Sequence, residues 1–258
     1  MKEKNSYSRL IQGVSGWDAF KKGHIIALLD QCVEHNITSF DNANFFGKKY
    51  ADHIFGVALS ETGFEREEIQ LISKFSQTQN PETSLVNTID ELLLRLKTDY
   101  LDLILLDPSD GLPELMEEVF QLLSQGKIKE IGGVNLEKEE IKRMEECVPV
   151  RANQMEFSAG FTEVANKLKH MNLEETSPFI WYYPKGTSDE KKRNLEAIGS
   201  KYNFDKNELV LAWLLSHPAH LHPVIHFSEE DKITRAVKLK DSYINPVDWQ
   251  KIEALLTS

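Results

Sequence analysis

Short apolar runs alternate with longer stretches in which apolar residues recur every three or four positions, and this alternation repeats along the whole chain. The first run, residues 8–14 (SRLIQGV), is followed by a helical pattern with Ile25, Leu28, Leu29, Cys32 and Val33 on one face. Residues 38–41 make a short strand ending on an acid, Asp41, and after a small-residue turn Ala51, Ile54, Phe55 and Ala58 recur at helical spacing. The run at 68–75 carries Lys74 at its end. Asn80 and Pro81 then read as the cap and first turn of a helix that turns Leu85, Ile89, Leu92, Leu93 and Leu96 inward. Leu101–Asp107 (LDLILLD) is almost wholly apolar, as a parallel strand covered on both faces should be, and it too ends on an acid.

A helical stretch from about Pro113 stops at Gly126, and strands follow at Ile128–Val134, 151–157, 178–183 and 222–227. Helical patterns cover 138–147, 190–202 and Lys206–Leu215, another helix opens at Ser228, and a last one spans 246–256. Eight strand–helix units with no linker between them predict a (β/α)8 barrel formed by residues 1–258 as one domain. A doubly wound open sheet competes with that reading, but no Gly-x-Gly-x-x-Gly follows the first strand.

Composition narrows the function classes. A net charge of −11 without a Lys/Arg block argues against nucleic acid, whose phosphates need neutralising, and against an anionic membrane surface. Cys32 and Cys147 form no metal-ligand pair and suit free thiols, and neither a signal-peptide core nor a membrane-length apolar run is present, so a cytoplasmic protein is expected.

In a barrel the carboxyl ends of all strands face one shared mouth. Asp41, Lys74 and Asp107 end strands two, three and four, so they should converge there, with Asn135 and Asn153–Gln154 joining from strands five and six. Any one of these could be a turn cap or a surface charge. Three charges on successive strands point to a pocket that binds a small molecule.

The blocks around these residues resemble the aldo-keto reductase family. Asp41, Ala43 and Gly47 in DNANFFG, followed by ADHIFGVAL, resemble the segment in which that family's aspartate and tyrosine stand five residues apart. Ser73–Lys74 resembles the position of its lysine, and DELLLRLKTDYLDLILLDPSD resembles a helix–strand block that normally ends in histidine. GKIKEIGGVNL, ANQMEFS and LVLAWLLSHPA followed by PVI continue the resemblance, in order, from about residue 8 to 236. The resemblance implies NADP(H)-dependent reduction of aldehydes or ketones, with a tyrosine hydroxyl as proton donor. A neighbouring lysine, paired to the aspartate, favours the phenolate and makes that hydroxyl acidic, while the histidine orients the substrate.

Asp41 and Lys74 match the family's acid and lysine, whereas the tyrosine position is Phe46 and the histidine position is Asp107. Phenylalanine keeps the ring and loses the proton the reaction uses, a loss of ~10²–10⁴-fold for general acid catalysis. Asp107 is a candidate replacement acid, its pKa raised by Asp41 and lowered by Lys74. Tyr50 either reaches in or packs. On the cofactor side, Asn135 and Gln154 match residues that hold the nicotinamide carboxamide. Tyr182 or Tyr183 either stacks on the ring or serves as a core or rim aromatic. At the end of strand eight His226 and Phe227 depart from the pattern, and Ser228 and Lys232 stand near its phosphate-binding positions. Ser228 with Asp231 reads as a helix cap, but Glu229, Glu230 and Asp231 oppose a 2′-phosphate, and the PKGTSDEK loop is short. Cofactor affinity is therefore expected to be reduced. His217, His220, His222 and His226 fit no standard zinc spacing, so no metal is expected. Two functions compete: a reductase with weakened or altered chemistry, and a non-catalytic barrel that binds a ligand or a protein partner.

Overall fold

A computed structural model describes residues 7–42, 49–76, 83–107, 112–157, 162–182 and 188–257. Eight strands, β1 (Ile11–Gly13), β2 (Ser39–Asp41), β3 (Gln70–Ser76), β4 (Leu101–Asp107), β5 (Ile128–Val134), β6 (Val150–Phe157), β7 (Ser177–Tyr182) and β8 (His222–Ile225), pair in chain order. Every pairing is parallel, and β8 returns to β1 through Ile11↔Val224 and Gln12↔Ile225 to close the barrel. The strand–helix alternation thus produces the (β/α)8 barrel and not the open sheet. Ten α-helices are described: α1 (Lys22–Glu34), α2 (Lys49–Leu59), α3 (Leu85–Leu96), α4 (Leu112–Ser124), α5 (Lys138–Glu145), α6 (Thr162–Leu168), α7 (Asp189–Gly199), α8 (Lys206–Leu215), α9 (Glu230–Leu239) and α10 (Pro246–Thr257).

Two apolar layers follow from the two faces of the strands. The outer faces and the helices share one large core. It includes Phe40, Leu71, Ile104 and Leu106 from the strands, with Ile25, Leu28, Phe55, Ile89 and Trp213 from the helices. The inner faces fill the lumen with Ile11, Ile72, Leu103, Leu105, Ala152, Phe179 and Val224, and Tyr7 joins them. The Tyr7 hydroxyl donates to Glu130 Oε2 at 2.6 Å, and its ring meets Phe179 edge-on at 5.0 Å. Burial and the Glu130 carboxylate beside it push that phenol well above its ordinary range.

Several local expectations shift. β1 and β8 are shorter than their apolar runs, and α6 lies in a stretch for which no element was expected. The N-cap of α3 is Ser84, whose side chain accepts from the Asn87 N–H, while Asn80 and Pro81 lie outside the described residues. Ser228 does not cap α9: the helix starts at Glu230 with Glu229 at the N-cap and no side-chain cap bond. The ring of His24 on α1 instead lies 3.0 Å from the Ser228 carbonyl, just before α9 begins.

Candidate active site

Along each strand, the residue two positions beyond a lumen residue faces the same way and stands one layer nearer the mouth. Ile72 leads to Lys74, Leu105 to Asp107, Ala152 to Gln154, Phe179 to Trp181, Val224 to His226 and Ile11 to Gly13. Asp41, at the end of β2, joins this layer through its partners. Lys74 Nζ lies 3.0 Å from Asp41 Oδ2, and Gln154 Nε2 donates to the same oxygen at 2.9 Å. The pair is nearly dry, with side chains 6% and 2% exposed for Lys74 and Asp41. Asp41 Oδ1 is buried and has no hydrogen-bond partner among the described residues, so an acceptor is left open at the mouth. The Lys74 ammonium also lies 5.6 Å from the centre of the Trp181 ring, within cation–π range.

Asn42, next after Asp41, is held from outside the barrel. Asn42 Nδ2 donates to Asp52 Oδ1 at 3.0 Å, and Arg95 of α3 pairs with Asp52 Oδ2 at 3.0 Å. The Asn42 N–H donates to Ile72 O at 2.8 Å, and the Ser73 hydroxyl donates to Asn42 O at 3.2 Å. Asp52 is 1% exposed, so a buried charge on α2 sets where the strand of Asp41 ends. A lone acid inside a helical pattern gives no sign of this in the sequence, and neither does the partner from another helix.

The other candidate positions are distributed as follows. Asp107 is half-buried at the mouth end of β4, and Phe46 and residues 183–187 lie outside the described residues. So do the side chains of Tyr50 and Tyr182. Asn135 is exposed, with a left-handed φ of 53°; its Oδ1 accepts from the Glu156 N–H at 2.9 Å, and its carbonyl accepts from Lys167 at 2.6 Å. Asn153 points away from the lumen and holds Leu136 N–H and C=O at 3.0 and 3.1 Å. Two of the histidines are used structurally: His222, opening β8, has Nδ1 3.0 Å from Ser8 O, and His217, just past α8, packs on Trp213 and Trp249. Among the described residues no group of three or more His, Cys, Asp or Glu is placed to hold a metal.

From the mouth a cavity of about 650 Å³ runs outward between β8, α8 and α9. Trp181 and His226 line its inner part, and Ser228, Lys232 and Arg235 its outer part. The aromatic inner end and the two cations outside suit a dinucleotide cofactor, whose ring is flat and apolar and whose other end is anionic. Both cations already have acidic partners, however. Lys232 pairs with Glu229 at 2.6 Å, and Arg235 with Glu208 at 2.6 Å. Trp181 and Arg235 are not among the candidates read from the sequence, which are the neighbouring tyrosines and Lys232. Strand parity puts Trp181 on the inner face, and helical spacing sets Arg235 one turn beyond Lys232, both signals present in the chain.

The fold is a closed parallel eight-stranded barrel with an Asp–Lys pair at the carboxyl ends of its strands, and the sequence profile of the aldo/keto reductase family matches residues 10–188. The chain belongs to that family. The uncharacterized oxidoreductase YcsN of Bacillus subtilis is 27% identical, over 95% of this chain and 93% of its own. A 6-dehydroglucose reductase of Agrobacterium fabrum is 26% identical, over 99% and 96%. An aldo/keto reductase from Klebsiella pneumoniae, solved with NADP and acetate, shares the fold with a TM-score of 0.78 over 95% of this chain and 90% of that one, at 19% identity. Among the described residues no helix is long and apolar enough to cross a membrane.

Proposed function

We propose that the protein is an NADP(H)-dependent oxidoreductase that binds small aldehydes or ketones, keto sugars among them, and turns them over slowly. The observation that carries this reading is the desolvated Lys74–Asp41 pair with Gln154 on the same oxygen. A buried ion pair is costly to desolvate, and a barrel serving only as a scaffold has no use for one at the open end of its lumen. The cavity supports the cofactor half of the reading, with Trp181 at the ring end, and Ser228, Lys232 and Arg235 at the phosphate end. The A. fabrum relative supports the substrate half.

When bound, the reduced cofactor supplies a hydride to the carbonyl carbon. The protein's part is to hold Lys74 as a fixed cation beside the oxygen on which charge develops, while Asp41 and Gln154 keep the ammonium in place. Phe46 at the tyrosine position and Asp107 at the histidine position are the reasons for slow turnover. Glu229 and Glu208, which neutralise Lys232 and Arg235, together with the acids opening α9, are the reasons for weakened cofactor binding. These same substitutions favour a second reading, a barrel that retains only binding.

Titration with NADPH and NADH, followed by quenching of tryptophan emission, tests the proposal, with Trp181→Phe as the control that removes the reporting ring. Saturation in the micromolar range supports an oxidoreductase, and Phe46→Tyr combined with Asp107→His should then raise carbonyl reduction. An absence of binding at millimolar cofactor leaves the barrel as a binding module.

A further inference from the structure

We propose that His226, at the end of β8, is the proton donor of this mouth, giving a ring-nitrogen proton to the oxygen of a bound carbonyl and recovering it from water. The inference rests on the reductase reading and supplies the proton that Phe46 cannot.

Its first support is position. His226 stands just past the end of β8, and its ring lies over Gly13 at the carboxyl end of β1, which puts it at the mouth. The imidazole does not stay over its own strand. A Cβ placed on Gly13 would overlap the His226 ring, so the ring lies across β1 in the space that glycine leaves empty. Gly13 pairs in register with Asp41 on β2. The missing side chain on β1 therefore lets an imidazole from β8 come up beside the carboxylate on β2. A side chain at position 13 would push the imidazole out of that space.

Its second support is availability. His226 makes no hydrogen bond among the described residues, and the side chain is exposed toward the cavity, so water can reach it. The other proton-bearing groups of the layer are committed or remote. Lys74 is held by Asp41, Gln154 donates to the same carboxylate, and Asp107 stands on β4, across the ring of strands from β8.

Desolvation lowers the His226 pKa, Asp41 from β2 raises it and Lys74 from β3 lowers it, so that the ring titrates below the usual histidine value. The imidazolium is thereby a stronger acid than an ordinary one, and its protonated fraction grows as pH falls. The proton balance is simple. As the carbonyl carbon accepts the hydride, the π pair moves to oxygen. That oxygen takes the imidazolium proton, and the neutral imidazole is protonated again by solvent. Reduction should therefore quicken as pH falls from 8 to 5, and oxidation of the alcohol should quicken in the opposite direction.

The test is a pH profile of carbonyl reduction, with methylglyoxal and 6-dehydroglucose as probes, followed as loss of NADPH absorbance for the wild type, His226→Asn and His226→Ala. Cofactor affinity is measured in parallel by tryptophan emission, and folding by circular dichroism. Expected results, at NADPH concentrations that saturate each protein, are a fall of about 10²-fold in kcat/KM for the carbonyl in His226→Asn, loss of the acid-side rise, and partial rescue of His226→Ala by added imidazole. A His226→Asn protein that keeps the wild-type profile overturns the proposal and leaves the reductase reading standing. A wild type that binds NADPH but reduces nothing between pH 5 and 8 also overturns it. A wild type that neither binds nor reduces defeats the reductase reading itself, and the proposal with it.

Discussion

Replacing Lys74 by methionine removes the cation from a carboxylate that the barrel holds almost out of water. In the wild type Asp41 Oδ2 receives both the ammonium at 3.0 Å and the Gln154 amide at 2.9 Å, while Oδ1 receives nothing among the described residues. The variant leaves one neutral donor for a full buried charge. Breaking a buried pair from one side costs ~3–5 kcal/mol, most of it the cost of the stranded charge rather than the worth of the pair. Asp41→Asn takes the carboxylate charge away from Lys74 Nζ, which keeps the Trp181 ring within cation–π range. The double variant strands nothing, so it should lie within about 2 kcal/mol of the wild type, far from the sum of the singles. Urea unfolding at pH 7.5 measures all four proteins. A Lys74→Met deficit below about 1 kcal/mol at pH 7.5, or a double variant as unstable as the two singles added, refutes the reasoning.

Other expectations test other parts of the molecule. Gly56→Ala on α2 would put a methyl 2.6 Å from Leu96 Cα, where α2 meets α3 backbone to backbone; it should cost about 1–3 kcal/mol in a thermal melt. Burial, aided by the Arg9 charge, lowers the His217 pKa to about 4. The unfolded chain therefore binds the extra proton between pH 6.5 and 4, and stability present above pH 6.5 is lost as pH falls through that window. The full shift corresponds to ~3 kcal/mol; because the ring is only half-buried, about 1–2 kcal/mol is expected, and His217→Gln should flatten the slope in denaturant titrations. Asp248 is held at about 2, chiefly by Lys201 at 2.8 Å, with Asn245 and Tyr202 adding hydrogen bonds. Its contribution is present above the ordinary carboxylate value and is lost as pH falls toward 2, so Asp248→Asn should lower the melting temperature at pH 7 and narrow the difference at acid pH. Arg235→Ala removes a cation from the outer cavity and should weaken NADPH more than NADH in the emission titration.

The chain alone determined the barrel and most of its inner face. Periods of two and of 3.6 are local properties, so β4 and β5 emerge with the bounds read from their apolar runs, and the inward helix residues of α3 are all buried. Strand alternation likewise makes Lys74, Asp107 and Gln154 neighbours in one layer, because each stands two residues beyond a lumen residue on its strand. What the tertiary structure decided are the relations between residues far apart in sequence. Closure of β8 on β1 lays His226 over Gly13, packing of α3 on α2 brings Arg95 to Asp52 and so fixes the end of β2, and α8 supplies the Glu208 that neutralises Arg235. The physical reason is that periodicity records which face of its own element a side chain occupies, whereas its partner across a seam is chosen only when the ends of the chain come together.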